Sequence, residues 1–398
     1  MVNFAFVIER IIMSEIYLVF VVFLFVLAVF DLMVGVSNDA VNFLNSAIGA
    51  KVAKFRTIII VAAVGVFIGA TMSNGMMEVA RHGIFHPAMF SFKELMFIFL
   101  AVMISDVILL DIFNNLGLPT STTVSLVFEL LGGTTAFVLL KLANDTTGLT
   151  VGDLMNTEKA LGMIMAIFVS VAIAFFFGIV LQYISRLVFT FTYKKNLKWK
   201  IGIFGGVATT AIFYFMLFKG IKSMSFVTPE IYEYIQSHTL AILGICFLAS
   251  TALMQVLYFL KVNVFKVLVL MGTFALAMAF AGNDLVNFIG VPLAGYSSYI
   301  DFASSGATDP GSFMMSSLDG PAKSPLIFLI AAGAVMVLSL ATSKKARNVI
   351  KTSVDLSRQS EGDEMFGSSK IARVLVRFSN NTANFFQDVV PDNVKAWC

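Results

Sequence analysis

VGVSNDAVNFLNSAIGAK, from Val34 to Lys51, closes a run of about twenty mostly apolar residues, the length that spans a bilayer core. The stretch places Asn38, Asp39, Asn42, Asn45 and Ser46 at the end of that run. A carboxylate at membrane depth is costly unless partnered, so its default reading is functional. The motif also returns. SNDAVNF at Ser37–Phe43 reappears as GNDLVNF at Gly282–Phe288, identical at five of seven positions. Apolar matches are cheap in such a chain, but Asn-Asp-x-Val-Asn twice is not.

The surrounding chain is a membrane protein by composition. Of 398 residues, 58% are hydrophobic and 13% charged, where soluble proteins carry about 25% charged residues. The net charge of +3 points to no nucleic-acid partner. Cys246 and Cys398 make no disulfide framework, and no Cys/His spacing suggests a metal site. The run Ile16–Val36 is too long for a signal-peptide core and lacks a cleavage site, so it reads as the first span. About nine spans are predicted, over 16–36, 57–77, 94–113, 122–142, 161–190, 201–220, 238–260, 264–283 and 324–341. The segment 94–142 can alternatively hold a re-entrant hairpin, which leaves the parity of crossings unchanged. The expected fold class is therefore an all-α polytopic membrane protein.

Basic clusters set the orientation. Lys51/Lys54/Arg56, Lys194/Lys195/Lys198/Lys200, Lys261/Lys266 and Lys344/Lys345/Arg347/Lys351 are separated by even numbers of spans, so all share one side. That side is the cytoplasm by the positive-inside rule, with the N-terminus outside. Lys219 and Lys222 are a minor exception. On this topology the two Asn-Asp motifs end spans of opposite direction. Inverted repeats of this kind build secondary transporters, with sites where the repeats meet. The expected organisation is a first repeat over 1–142, connecting helices over 143–260, the start of a second repeat over 261–342 and a cytoplasmic tail over 343–398. Residues 285–323, rich in Gly, Ser and Pro, read as an external loop or gate. In the tail, Ser369–Phe386 is a short amphipathic candidate.

Two constellations carry chemistry. Asn38, Asp39 and Asn42, with Asn283, Asp284 and Asn287, each place oxygens on one helical face. Oxygen ligands suit an alkali cation, and a cation lets a buried carboxylate stay ionised. The structural alternative is hydrogen bonding between membrane helices. The second constellation is NNLGLPTSTTVSLVFELLGG, Asn114–Gly133, where Gly117 and Pro119 break a helix and Ser121, Thr122 and Thr123 precede a new one. A helix N-terminus with hydroxyls suits a tetrahedral oxyanion; the simpler reading is an N-cap. Asp106, Asp111 and Glu129 flank this stretch as proton- or ion-linked candidates. Glu78, Arg81 and His82 read as snorkelling groups at a span end. His82 and His86, four apart, lack a third ligand. No Walker A motif and no nucleophile elbow is present, which argues against ATP-driven transport and against an enzyme.

GVSNDAVNFLNSAIGAK resembles the signature of the inorganic phosphate transporter (PiT) family, close to Gly-Ala-Asn-Asp-Val-Ala-Asn-x-Phe-Gly-Thr-x-x-Gly. FAGNDLVNFIGVPLAG is similar to its second copy, GLPTSTTVSLV to its Gly-Leu-Pro-Val-Ser-Thr-Thr-His segment, and EVARHGIF to a stretch after the second span. The matches fall in the expected order over most of residues 30–300. The resemblance implies a secondary transporter importing inorganic phosphate with Na⁺ or H⁺ by alternating access. It implies phosphate binding by Asp39, Ser121, Thr122 and Thr123, and cation binding by Asn38, Asp39, Asn42, Asn283, Asp284 and Asn287. No cofactor and no resident metal follow from it. The partners are phosphate, a monovalent cation and the lipid bilayer, without nucleic acid, and a homodimer is compatible. The location would be a bacterial inner membrane.

The departures are specific. Ser37 replaces the usual Ala, Leu44-Asn45 replaces Gly-Thr, and Val124 replaces the His after Ser-Thr-Thr. No second Pro-x-Ser-Thr-Thr hairpin follows Asp284. The second repeat therefore reads as incomplete, as in an N-terminal portion of a longer member. Two other readings stay open: a permease for sulfate or another tetrahedral oxyanion, and a truncated membrane subunit that does not transport.

Overall fold

A computed structural model describes residues 4–73, 81, 83–144, 148–190, 193, 197–216, 228–320 and 324–356, and seven residues between 373 and 381. The chain divides into a large unit, Met1–Val354, and a smaller one, Asp355–Cys398, of which only short helical stretches are described. The helices are α1 (Phe4–Gly49), α2 (Phe55–Met72), α3 (Phe92–Leu116), α4 (Thr122–Ala143), α5 (Val151–Leu154), α6 (Thr157–Phe189), α7 (Lys200–Phe215), α8 (Pro229–Ser237), α9 (Thr239–Phe259), α10 (Val264–Ser305), α11 (Leu326–Thr342) and α12 (Lys344–Leu356). Each of the nine predicted spans has its helix. Among the described residues seven helices are long and apolar enough to cross a membrane, and α11 with α12, bent by 66°, adds an eighth candidate. The protein is an all-α polytopic membrane protein.

The centre is an antiparallel pair, α1 and α10. Phe43 meets Phe280 with ring centroids 5.3 Å apart, Phe25 meets Tyr296 at 6.0 Å and Tyr17 meets Phe302 at 6.4 Å. Partner numbers fall along α10 as they rise along α1, so the two motif-bearing helices run in opposite directions at one level. Two further helices pack against this pair. α2 packs on α10, and α11 packs on α2 and α1. Gly65 and Gly69, four apart, let α2 approach closely: a Cβ at Gly65 would lie 2.6 Å from the Phe274 carbonyl, and one at Gly69 would strike the Met278 backbone. Serines at or near the C-terminal ends of both helices bond to α10 and α1. Ser73 donates to the Gly282 carbonyl at 2.7 Å, and Ser339 to the Met33 carbonyl at 2.9 Å, while Ser343 lies 2.8 Å from Ser37.

α3 and α4 form an antiparallel hairpin beside this centre. Ser91 and Glu94 make a capping box at the start of α3, and Glu94 pairs with Lys141 of α4 at 2.9 Å. Gly117, at φ 67°, ends α3 in the left-handed conformation that glycine adopts at least cost. α7 and α9 form a second packing centre with the start of α10, around Phe189, Ile201, Met254, Val264 and Leu268. α6 is largely uncovered, with Phe168, Phe175 and Phe176 exposed.

Three expectations need correction. The motifs do not end their helices: α1 runs on to Gly49, and α10 runs on through 285–305, the first half of the segment expected to be a loop or gate. Burial overrides the local Gly, Ser and Pro signals there. Leu285, Val286, Phe288, Ile289, Val291, Leu293, Ala294 and Phe302 are all buried. Ser298 returns its hydroxyl to the Ala294 carbonyl at 2.8 Å, and Pro292 is packed inside the bundle. The helix stops only at Gly306, at φ 74°. Glu78 and His82 lie outside the described residues, as does most of 369–386. Arg81 does not snorkel. It is buried, with Nη2 donating to the Ser317 carbonyl at 3.2 Å, and burial pushes its pKa down against the opposing pull of Asp301.

Candidate functional site

The hairpin tip, residues 117–121, docks against the middle of α1. Asn38 makes the joint. Its Nδ2 donates to Asn114 Oδ1 at 2.9 Å and to the Leu118 carbonyl at 3.0 Å, and its Oδ1 accepts from Thr120 N at 2.7 Å. Asn114 answers by donating to the Val34 carbonyl at 2.7 Å. Both side chains are fully buried. The last turn of α3 and the linker would otherwise bury unpaired backbone groups, so this exchange sets where α4 begins.

α4 then starts with three hydroxyls of different use. Ser121 is its N-cap, accepting from Val124 N at 3.3 Å, and is exposed. Thr122 is buried and donates to Asp39 Oδ2 at 2.8 Å. Thr123 donates to Asp284 Oδ1 at 3.3 Å. Asn287 reaches across from α10, placing Nδ2 2.9 Å from Thr123 Oγ1, 3.3 Å from Thr122 Oγ1 and 3.4 Å from Asp284 Oδ1. Asn42 Nδ2 lies 3.4 Å from Asp39 Oδ1. One threonine pair thus bridges two carboxylates contributed by two antiparallel helices, at the positive end of α4.

The structure brings together Asp39, Asp284, Thr122, Thr123, Asn287 and, at the edge, Asn42. Ser121 sits beside them as a cap. Asn283 is exposed, and Asn38 faces the hairpin rather than the carboxylates. Asp111 lies away from the site in an ion pair with Lys345. Asn114, Asp31 and Ser73 were not singled out from the sequence. A lone Asp within Ile16–Val36 was the available signal for Asp31; nothing local distinguishes Asn114 from Asn115. No group of three or more His, Cys, Asp or Glu able to hold a metal ion occurs among the described residues.

A membrane-spanning bundle of this kind, with inverted helices meeting at a polar cluster, belongs to the polytopic transporters. The chain belongs to the phosphate transporter family, whose model matches residues 35–354 and so takes in the site entire. It is a transporter of phosphate, not an enzyme. Among solved structures it is similar to one titled "The sodium-dependent phosphate transporter", at 19% identity and a TM-score of 0.62, over 85% of this chain and 78% of that one. At that identity the likeness speaks for the fold. A comparison with curated protein sequences finds no match.

Proposed function

We propose that the protein imports inorganic phosphate together with a monovalent cation, Na⁺ in the first instance, by alternating access. The observation that carries this is the pair Asp39 and Asp284, from opposed helices, bridged by Thr122 and Thr123 at the start of α4. Two facing carboxylates repel an incoming phosphate. A cation held by Asp39 and Asp284, with the amide oxygens of Asn42 or Asn287 as further ligands, reverses the local sign. The freed hydroxyls of Thr122 and Thr123, with Ser121 and the backbone N–H groups of the first turn, then hold the anion. Anion binding that requires the cation is coupling, because each raises the other's affinity by the same factor. The structural neighbour's title, which names sodium dependence, favours Na⁺ over H⁺.

The remaining assignments follow from the sequence. The four basic clusters support a cytoplasmic C-terminal tail and an external N-terminus in a bacterial inner membrane. The antiparallel α1 and α10 support repeats over 1–142 and 261–342, which would rock against each other.

The test is uptake of labelled phosphate into proteoliposomes with and without an inward Na⁺ gradient. Uptake should rise with the gradient and be little reduced by excess sulfate. Equal competition by sulfate would make this a general oxyanion permease, and absence of uptake would favour a non-transporting subunit.

A further inference from the structure

The site at the hairpin tip leaves unused a second group of carboxyls on the same helices. Asp106 of α3 is fully buried and lies 2.6 Å from Ser125 Oγ of α4. The same oxygen lies 2.9 Å from Glu129 Oε1. A serine hydroxyl has one proton to donate, so both contacts are hydrogen bonds only when one of the two carboxyls carries a proton and donates it back. Asp106 Oδ2 and Glu129 Oε2 are buried with no donor other than a neighbouring carboxyl.

A third carboxyl comes from another helix. Asp31 of α1 is fully buried, and its carboxyl meets that of Asp106, with no amide, hydroxyl or basic donor on either oxygen. The charged groups facing it are Asp106 of α3, Glu129 of α4 and, farther along its own helix, Asp39. Glu129 in turn faces Asp106. α10 packs on both α1 and α3 but brings no charge to this group; its Asp284 faces Asp39 instead. Among the described residues no basic side chain faces any of the three, and three uncompensated charges at this depth are not tolerated.

We infer that Asp31, Asp106 and Glu129 form a proton-holding site, distinct from the Asn-Asp site, that takes up and releases a proton during the transport cycle. The inference rests on the transport reading. Only O–H bonds change: hydronium gives a proton to a carboxylate, and water takes it back. Glu129, the one member that is partly exposed, is the point of access. Communication with the phosphate site runs along one face of α4, where Ser125 stands one turn beyond Thr122, the partner of Asp39.

The experiment is phosphate uptake into proteoliposomes at a fixed Na⁺ gradient, from mildly acidic to mildly alkaline pH. Wild-type protein is compared with Glu129→Gln and Asp31→Asn. A single linked proton gives a limb that changes about tenfold per pH unit, and both variants should flatten it. A wild-type profile without such a limb, or variant profiles that overlay it, overturns the inference while leaving phosphate transport intact. A second measurement needs no transport: thermal unfolding of the purified protein in detergent over the same pH range. The difference in midpoint between wild type and each variant should itself change with pH. A constant difference overturns the proton site, and this holds even if wild-type protein moves no phosphate, the result that defeats the transport reading.

Discussion

The two copies of Asn-Asp-x-Val-Asn have the same residues and opposite burial. In the first, Asn38 and Asp39 are buried and Asn42 is exposed; in the second, Asn283 is exposed, Asp284 is half-buried and Asn287 is buried. The cause is a single hairpin. The α3–α4 tip docks on the first asparagine of α1, and its threonines receive the last asparagine of α10. Repetition in sequence has therefore not produced repetition of roles. One copy supplies the clamp that seats the tip, and the other supplies the arm that reaches into it. The carboxylates are used alike, each accepting from one threonine of the pair and lying 3.4 Å from the amide of the asparagine three residues on.

The largest effect expected is at those shared carboxylates. Asp284→Asn should abolish phosphate uptake while the protein still inserts, measured by transport beside an immunoblot of the membrane fraction. Normal uptake would remove Asp284 from the site. Next comes the pair that separates clamp from arm. Asn38→Ala takes the partner from the part-buried Leu118 carbonyl and Thr120 N–H, at up to about 1–3 kcal/mol each. Asn283→Ala, at an exposed position, should stay within about 0.5 kcal/mol of wild type. Equal shifts in the thermal midpoints of the two variants would break the comparison. Gly69→Ala forces α2 off α10 and should cost about 1–3 kcal/mol in the same assay; an unchanged midpoint would mean the helices pack less closely. The smallest stability effect is Ser121→Ala, about 1 kcal/mol for a lost cap. Its uptake should fall far less than that of Thr122→Val, and the reverse order would make Ser121 a principal phosphate ligand.

Much of this was legible in residues whose signal is local. Apolar length marked the helices, Gly117 and Pro119 marked the hairpin tip, and the repeated motif marked the two helices, α1 and α10, that pair antiparallel at the centre. What escaped depends on partners distant in sequence. Nothing near Asn38 and Asn283 tells which one a hairpin will cover. The Gly, Ser and Pro of 285–305 signal a loop, yet buried neighbours hold them helical. Gly65 and Gly69 have the spacing of close helix contact, but their partner on α10 is some two hundred residues away. Asp31 was readable as a carboxyl inside an apolar run, although its company, Asp106 and Glu129, was not.

The serine that ties α2 to α10 has a consequence for how the molecule is made. Ser73 and its acceptor Gly282 are separated by 209 residues. At roughly 5–20 residues per second, synthesis needs about 10–40 s to span that distance. Throughout that interval the nascent α2 has no α10 against which to close the grooves at Gly65 and Gly69. The first half of the protein thus waits in the membrane as an unfinished joint. A chaperone or lipid that shields this face should govern the yield of folded protein more than its final stability does.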